Sequence, residues 1–215
     1  MTAVAGAALL MATVPGHADD DLQQWSVLKV THPLDERIDL SLMLQGRFAD
    51  DISEVDVVIV RPDIGYHLSD HVTLFLGYDY YDRPQPGEDS ENRVWEQLGI
   101  KHRVGDLAIA NRLRVEQRII ENVDGVTVRA RYRLRLAHPL GDPDWEAIAF
   151  NEVFANLNQE PGGPAEGFEQ NRLFGGLGYQ IRPGLELEAG YMWRREPSAS
   201  DHILVLGLYL DTGRL

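Results

Sequence analysis

Hydrophobic and polar residues alternate with period two over most of this chain, the signature of strands with one apolar and one polar face. Residues 37 to 48, RIDLSLMLQGRF, place Ile38, Leu40, Leu42 and Leu44 on one face and Asp39, Ser41, Gln45 and Arg47 on the other. In residues 71 to 81, Val72, Leu74, Leu76, Tyr78 and Tyr80 oppose Thr73, Gly77 and Asp79. Residues 107 to 119 set Leu107, Ile109, Leu113, Val115 and Ile119 against Arg112, Arg114, Glu116 and Arg118. Residues 126 to 138 set Val126, Val128, Tyr132, Leu134 and Leu136 against a row of Arg129, Arg131, Arg133 and Arg135. Further strands are predicted at 54 to 67, 93 to 103, 145 to 156, 170 to 182, 185 to 194 and 201 to 210. The segment at 145 to 156, WEAIAFNEVFAN, alternates poorly.

The connections alternate in length. Tight stretches such as LSD, VGD and RPG take turns with longer polar ones such as DRPQPGEDSEN and LNQEPGGPAEGFEQ. Outer-membrane barrels carry short periplasmic turns and longer outer loops in this way. The expected fold is therefore all-β, an up-and-down antiparallel transmembrane barrel. Counting from residue 37 predicts about ten strands, an even number that leaves both termini on the turn side; twelve is the alternative. Residues 19 to 36 form an N-terminal segment read as an extra strand or a plug, and residues 37 to 215 form the barrel.

The first eighteen residues contain no Asp, Glu, Lys or Arg and end in Gly16, His17 and Ala18 before an acidic run, which reads as a secretory signal peptide. No later stretch offers about 18 consecutive apolar residues, so any membrane crossing is by strands. Localisation in the bacterial outer membrane is the expectation. Tyr78, Tyr80, Tyr81, Tyr191 and Trp193 fall at strand ends, where an interfacial aromatic girdle would stand. A soluble periplasmic lipid-binding barrel with its apolar face inward is the structural rival.

Composition narrows the function. The 215-residue chain has a formal net charge of -14, which argues against a nucleic-acid partner. Among 20 basic residues only Lys29 and Lys101 are lysines, a preference for the planar fork that pairs with carboxylates in confined places. The absence of cysteine removes disulfides, thiolate metal sites and cysteine nucleophiles.

With the apolar face outward, the arginine row faces a narrow lumen. There it lies beside Arg112, Arg114, Glu116 and Arg118, and across from Glu152, Glu186, Glu188 and Asp39. The predicted binding or luminal network is thus Arg112, Arg114, Glu116, Arg118, Arg129, Arg131, Arg133, Arg135, Glu152, Glu186 and Glu188, holding the interior by ion pairs. An anion-attracting lumen or a pit for an acidic headgroup is the functional counterpart. Gly176, Gly178 and Gly190 on luminal positions would leave room for the long side chains.

The segments ENRVWEQL (91 to 98), NRLRVEQR (111 to 118), RYRLRLAHPL (131 to 140), NEVFANLN (151 to 158), QNRLFGGLGYQI (170 to 181) and LELEAGYMW (185 to 193) resemble the bacterial family catalogued as domain of unknown function 2490. The likeness covers nearly all of the chain after the opening segment. It implies an outer-membrane barrel and brings no catalytic residues to transfer.

Catalytic chemistry is thinly represented. YHLSD sets His67 two residues before Ser69, a spacing that looks like the His and Ser of outer-membrane lipid A deacylases, but Ser and Asp are also ordinary turn formers. The other histidines show no metal-like spacing, FGGLGY lies within a strand, and the acidic loop GEDSEN is at most a weak calcium site. No cofactor and no metal are expected. The partners expected are outer-membrane lipid, with lipopolysaccharide or a small anion as candidates. The leading expectation is a structural or interaction barrel with a charge-filled lumen. The alternatives are a small anion-selective channel or acidic-headgroup binder, a lipid-modifying hydrolase, and the soluble carrier.

Overall fold

A computed structural model describes residues 22–214; the predicted signal segment at residues 1 to 18 lies outside them. Eleven strands follow one another: β1 (Leu22–Pro33), β2 (Ile38–Ala49), β3 (Glu54–His67), β4 (Val72–Asp82), β5 (Glu91–Val104), β6 (Leu107–Ile120), β7 (Thr127–Leu140), β8 (Asp142–Asn156), β9 (Gly167–Arg182), β10 (Leu185–Arg195) and β11 (Ser200–Asp211). A single 3-10 turn, Thr212–Arg214, follows. No helix among the described residues is long and apolar enough to cross a membrane.

Each strand pairs with its sequence neighbours in antiparallel register, and β1 closes the cylinder against β11. That closing pair is parallel, with Leu22 opposite His202 and Thr31 opposite Asp211. The expected ten strands, with twelve as alternative, are corrected to eleven. Residues 22 to 33 supply a full strand rather than a plug, and parallel closure lifts the parity requirement on which the even count rested. Leu22 consequently lies at the long-loop end, while the 3-10 turn lies at the tight-turn end.

Glycine permits the bend in three of the tight turns, at Gly105, Gly141 and Gly184, each with positive φ. Gly184, between β9 and β10, has φ of +76°, and a Cβ there would stand 2.4 Å from the Asp211 carbonyl oxygen. Only a residue without Cβ fits both demands.

Alternation sorts the side chains as the pleat requires. Leu40, Leu42, Leu44, Val58, Val60, Leu74, Leu76, Leu113, Leu204 and Leu206 are all exposed on the outer surface. Asp79, Glu91 and Glu116 are fully buried inside. Tyr132 and Tyr191 face outward within their strands, and other outward aromatics stand toward the two ends of the barrel. Tyr78, Tyr80 and Phe168 lie near the loop end, and Tyr66 and Trp145 near the turn end, where the Trp145 and Tyr179 rings meet in a tilted contact with centroids 4.7 Å apart. Tyr81 departs from its expected place: it points inward and is 2% exposed, because it has the parity of Asp79 rather than of Tyr80.

The interior is not wholly polar. Trp25, Ala137, Ile148, Phe174, Met192 and Ile203 form one apolar cluster, and Val57, Ile59 and Tyr81 a second. This explains the weak alternation of 145 to 156: Ile148 and Phe154 of β8 are buried inside, while outward positions take Ala147, Ala149 and Asn151.

Gly176 and Gly190 pair across β9 and β10, and the Phe174 ring covers both; a Cβ would meet it at 2.6 and 2.5 Å. Their space therefore serves an aromatic ring rather than the arginines. Gly178 does make room for long side chains, with the Glu146 stem and a Glu186 oxygen near its missing Cβ. Gly190→Val is expected to destabilise the barrel by about 1–3 kcal/mol, since a Cβ there would also stand 2.6 Å from the Gly175 carbonyl oxygen, which cannot give way without disturbing the β9–β10 pair. A urea titration of the refolded protein checks it, and a midpoint equal to wild type would contradict this packing.

Candidate functional site

The inner faces of β5 to β9 present a continuous ladder of arginines and glutamates. It begins with Glu91, which accepts from Arg93 and Arg118, each at 2.6 Å. Arg118 and Arg129 both reach Glu169, at 3.0 and 2.7 Å. Arg129 and Arg131 then donate to Glu116, with Arg114 3.6 Å away. Arg131 also donates to Glu152 at 2.8 Å, and Arg112 completes the ladder on the same carboxylate at 2.6 Å. Alternation is the local cause: residues two apart share a face, and cross-strand partners such as Arg131 and Arg114 stand side by side.

Six arginines thus share four glutamates, leaving the ladder with excess positive charge. Arg47, Arg133 and Arg172 add to the excess: among the described residues none of them has a carboxylate within ion-pair distance. They lie instead on aromatic faces, Arg47 at 3.9 Å and Arg172 at 4.8 Å from the Trp25 ring, and Arg133 at 5.4 Å from Phe150. Arg114 stacks on Trp95 at 3.5 Å and donates to Gln97. Ring quadrupoles attract such cations but cancel no charge.

Two chambers occupy the loop side and the middle of the lumen, and a third, about 210 Å³, opens at its turn end around Lys29, Gln180 and Glu186. The upper one, about 200 Å³, lies toward the long loops and is lined almost wholly by polar groups, including Arg47, Arg93, Arg118, Arg129 and Glu169. The central one, about 420 Å³, is bounded by Arg112, Arg114, Arg133, Arg135 and Lys29, by the fewer carboxylates Asp63, Glu152 and Glu188, and by Trp25, Phe174, Met192 and Val205. Gln45, Arg61, Arg131 and Arg172 line both and form the septum between them. Arg61 is held there by two bonds to Asp79, each 2.6 Å, and by a third to the Tyr81 hydroxyl.

The structure brings together Arg112, Arg114, Glu116, Arg118, Arg129, Arg131 and Glu152 as the alternation predicted. Arg133 lines the same lumen but joins no ion pair. Arg135, Glu186 and Glu188 sit apart at the turn end, where Arg135 pairs with Glu188 at 2.6 Å and Glu146 at 3.2 Å. There the oxygens of Glu146, Glu186 and Glu188 lie within 4.8 Å of one another, close enough to share a cation, although Arg135 already supplies positive charge. Asp39 does not reach the arginine row; it accepts from His67 at 2.7 Å.

His67 and Ser69 do not form a nucleophile pair. The other ring nitrogen of His67 bonds Thr73 at 3.0 Å, and Ser69 Oγ accepts from the backbone amides of His71 and Val72, closing the turn. The acidic loop is likewise engaged: Asp89 accepts from Asn122, and Glu121 from Ser90.

Sequence reasoning missed Glu91, Arg93, Glu169, Arg61 and Arg172, and it set Asp79 and Arg47 on the polar faces of their strands without carrying them into the network. Part of the signal was present. Glu91, Arg93 and Trp95 share one parity, as do Gln170, Arg172 and Phe174, and only the first position of each strand left their face undecided.

A family model described as protein of unknown function (DUF2490) matches residues 22–203, the first ten strands and the opening residues of the eleventh. The chain belongs to this family. Its ladder residues from Glu91 to Glu169 all lie within the matched region. The chain is also similar to an uncharacterized protein of Methylorubrum extorquens, 31% identical over 180 residues that cover 78% of each chain. Neither likeness carries a stated activity, so the chemistry rests on the DUF2490 barrel's own residues.

Proposed function

We propose that this DUF2490 member is an integral β-barrel of the bacterial outer membrane, with a lumen closed to solute flow by its arginine and glutamate ladder. The observation that carries the reading is the inversion of the usual soluble arrangement. Exposed leucines and valines band the outside, while Asp79, Glu91, Glu116 and Glu152 are buried within. In water such a surface would aggregate; against hydrocarbon it is the favourable one.

Several polar side chains on the outer face bond one another, which suits a lipid contact. Asn151 donates to Asn171 at 3.0 Å, Tyr132 to Asn111 at 2.7 Å and Gln117 to Glu96 at 3.1 Å. A soluble lipid carrier would need the opposite polarity, with an apolar interior. The aromatic groups at both ends suit the two interfaces of a bilayer.

The septum supports closure. Arg61, Arg131 and Arg172 converge between the chambers, and the first two are pinned by carboxylates. An anion-selective passage is the second reading, favoured by the cationic excess. Reconstitution in a planar bilayer separates the two: the protein is expected to show no sustained current in molar potassium chloride. A steady, anion-preferring conductance would replace closure with the channel reading, and Arg131→Glu would then invert the preference. Membrane residence is tested separately by fractionation and by unheated versus heated migration in detergent gels. Recovery in the detergent-free soluble fraction would refute it.

A further inference from the structure

The central chamber has two unlike walls. Arg112 and Arg114 of β6 and Arg133 of β7 form one, and Trp25, Met192 and Val205 of β1, β10 and β11 form the other. In the strand order β6 stands across the cylinder from β1 and β11, so a bound molecule would touch both walls at once. At about 420 Å³ the chamber falls within the ~300–1,000 Å³ range of small-molecule sites, which typically combine an apolar wall with a few converging polar groups.

Charge is unbalanced on the cationic side. Glu152 is shared between Arg112 and Arg131, Arg114 stands 3.6 Å from a Glu116 already engaged by Arg129 and Arg131, and Arg133 has no carboxylate at ion-pair distance among the described residues. N–H groups remain without partners as well: Nε of Arg112, Nη1 of Arg114 and Nε of Arg133. Water can satisfy an N–H, but it does not neutralise a guanidinium held away from bulk solvent. A carboxylate does both, and its two oxygens match the guanidinium fork.

From these observations we infer that the central chamber is a binding site for a small monocarboxylate with an apolar body. The carboxylate pairs with Arg133 and Arg114, and the body lies on Trp25, Met192 and Val205. Inorganic phosphate fits this chamber poorly, because half of its lining would be left facing an ion. The site depends on the lumen alone and stands apart from what surrounds the barrel.

The test is calorimetric titration of the detergent-folded, full-length protein, its folded state verified by gel migration, with 3-phenylpropionate, 3-phenylpropanamide and inorganic phosphate. Saturable binding of the carboxylate is expected, with the amide and phosphate each at least tenfold weaker. Arg133→Gln, which breaks no ion pair, is expected to weaken carboxylate binding at least tenfold. Absence of saturable binding at millimolar carboxylate overturns the inference. Equal binding of the amide removes the role of the cationic wall, and equal binding of phosphate that of the apolar wall; either result overturns it too. Should Arg133→Gln fail to fold, the three-ligand comparison on wild type still decides. A soluble but binding protein would refute the membrane reading alone, and a membrane barrel without binding would refute this inference alone.

Discussion

Replacing Glu116 by glutamine is expected to cost about 3–5 kcal/mol, the usual penalty for removing one member of a buried ionic network. Glu116 is fully buried and is the carboxylate on which Arg114, Arg129 and Arg131 converge. After the substitution Arg129 retains Glu169 and Arg131 retains Glu152, but Arg114 keeps only Gln97 and the Trp95 ring, neither of which carries a negative charge. Against a total stability on the order of 5–15 kcal/mol, such a loss would shift the urea midpoint strongly or prevent refolding. The second substitution Arg114→Gln is expected to restore about 1 kcal/mol or more by removing the cation left alone, and a double-mutant cycle measures this coupling. A single-variant loss below about 1 kcal/mol would mean that solvent, rather than Glu116, compensates the arginines.

Leu42→Arg is expected to destabilise the barrel in lipid vesicles by about 2–4 kcal/mol, the cost of an arginine on the lipid face near the bilayer midplane. Leu42 lies near the middle of β2, is 44% exposed, and is flanked by the outward Leu40 and Leu44. In water the same exchange at an exposed position would change stability by about 0.5 kcal/mol or less. Denaturant unfolding in vesicles therefore reads the medium outside the barrel directly. A change within the aqueous range would count against the proposed membrane residence while leaving the barrel itself intact.

The two substitutions probe opposite faces of one pleat, and that division was legible beforehand. Strands at 54 to 67, 107 to 119 and 126 to 138 appear within two residues of their expected ends, and the arginines of β6 and β7 point where alternation put them. Tyr81 and Glu91 were less legible, because at a strand end one residue of register decides between inside and outside. Residues 22 to 33 offered too little contrast between faces, since Gln24 and Ser26 point outward while Trp25 and Val27 point in.

Period-two alternation by itself determined an all-β chain with one apolar and one charged face, and it selected the guanidiniums that meet in the lumen. Those properties are local, set by the direction of successive Cβ atoms. Tertiary structure alone decided that β1 meets β11 in parallel to close eleven strands, that four glutamates serve six arginines, and that Arg133 is left without a carboxylate. Each depends on which strands become neighbours around the cylinder, and no spacing along a single strand encodes the curvature that brings the first and last together.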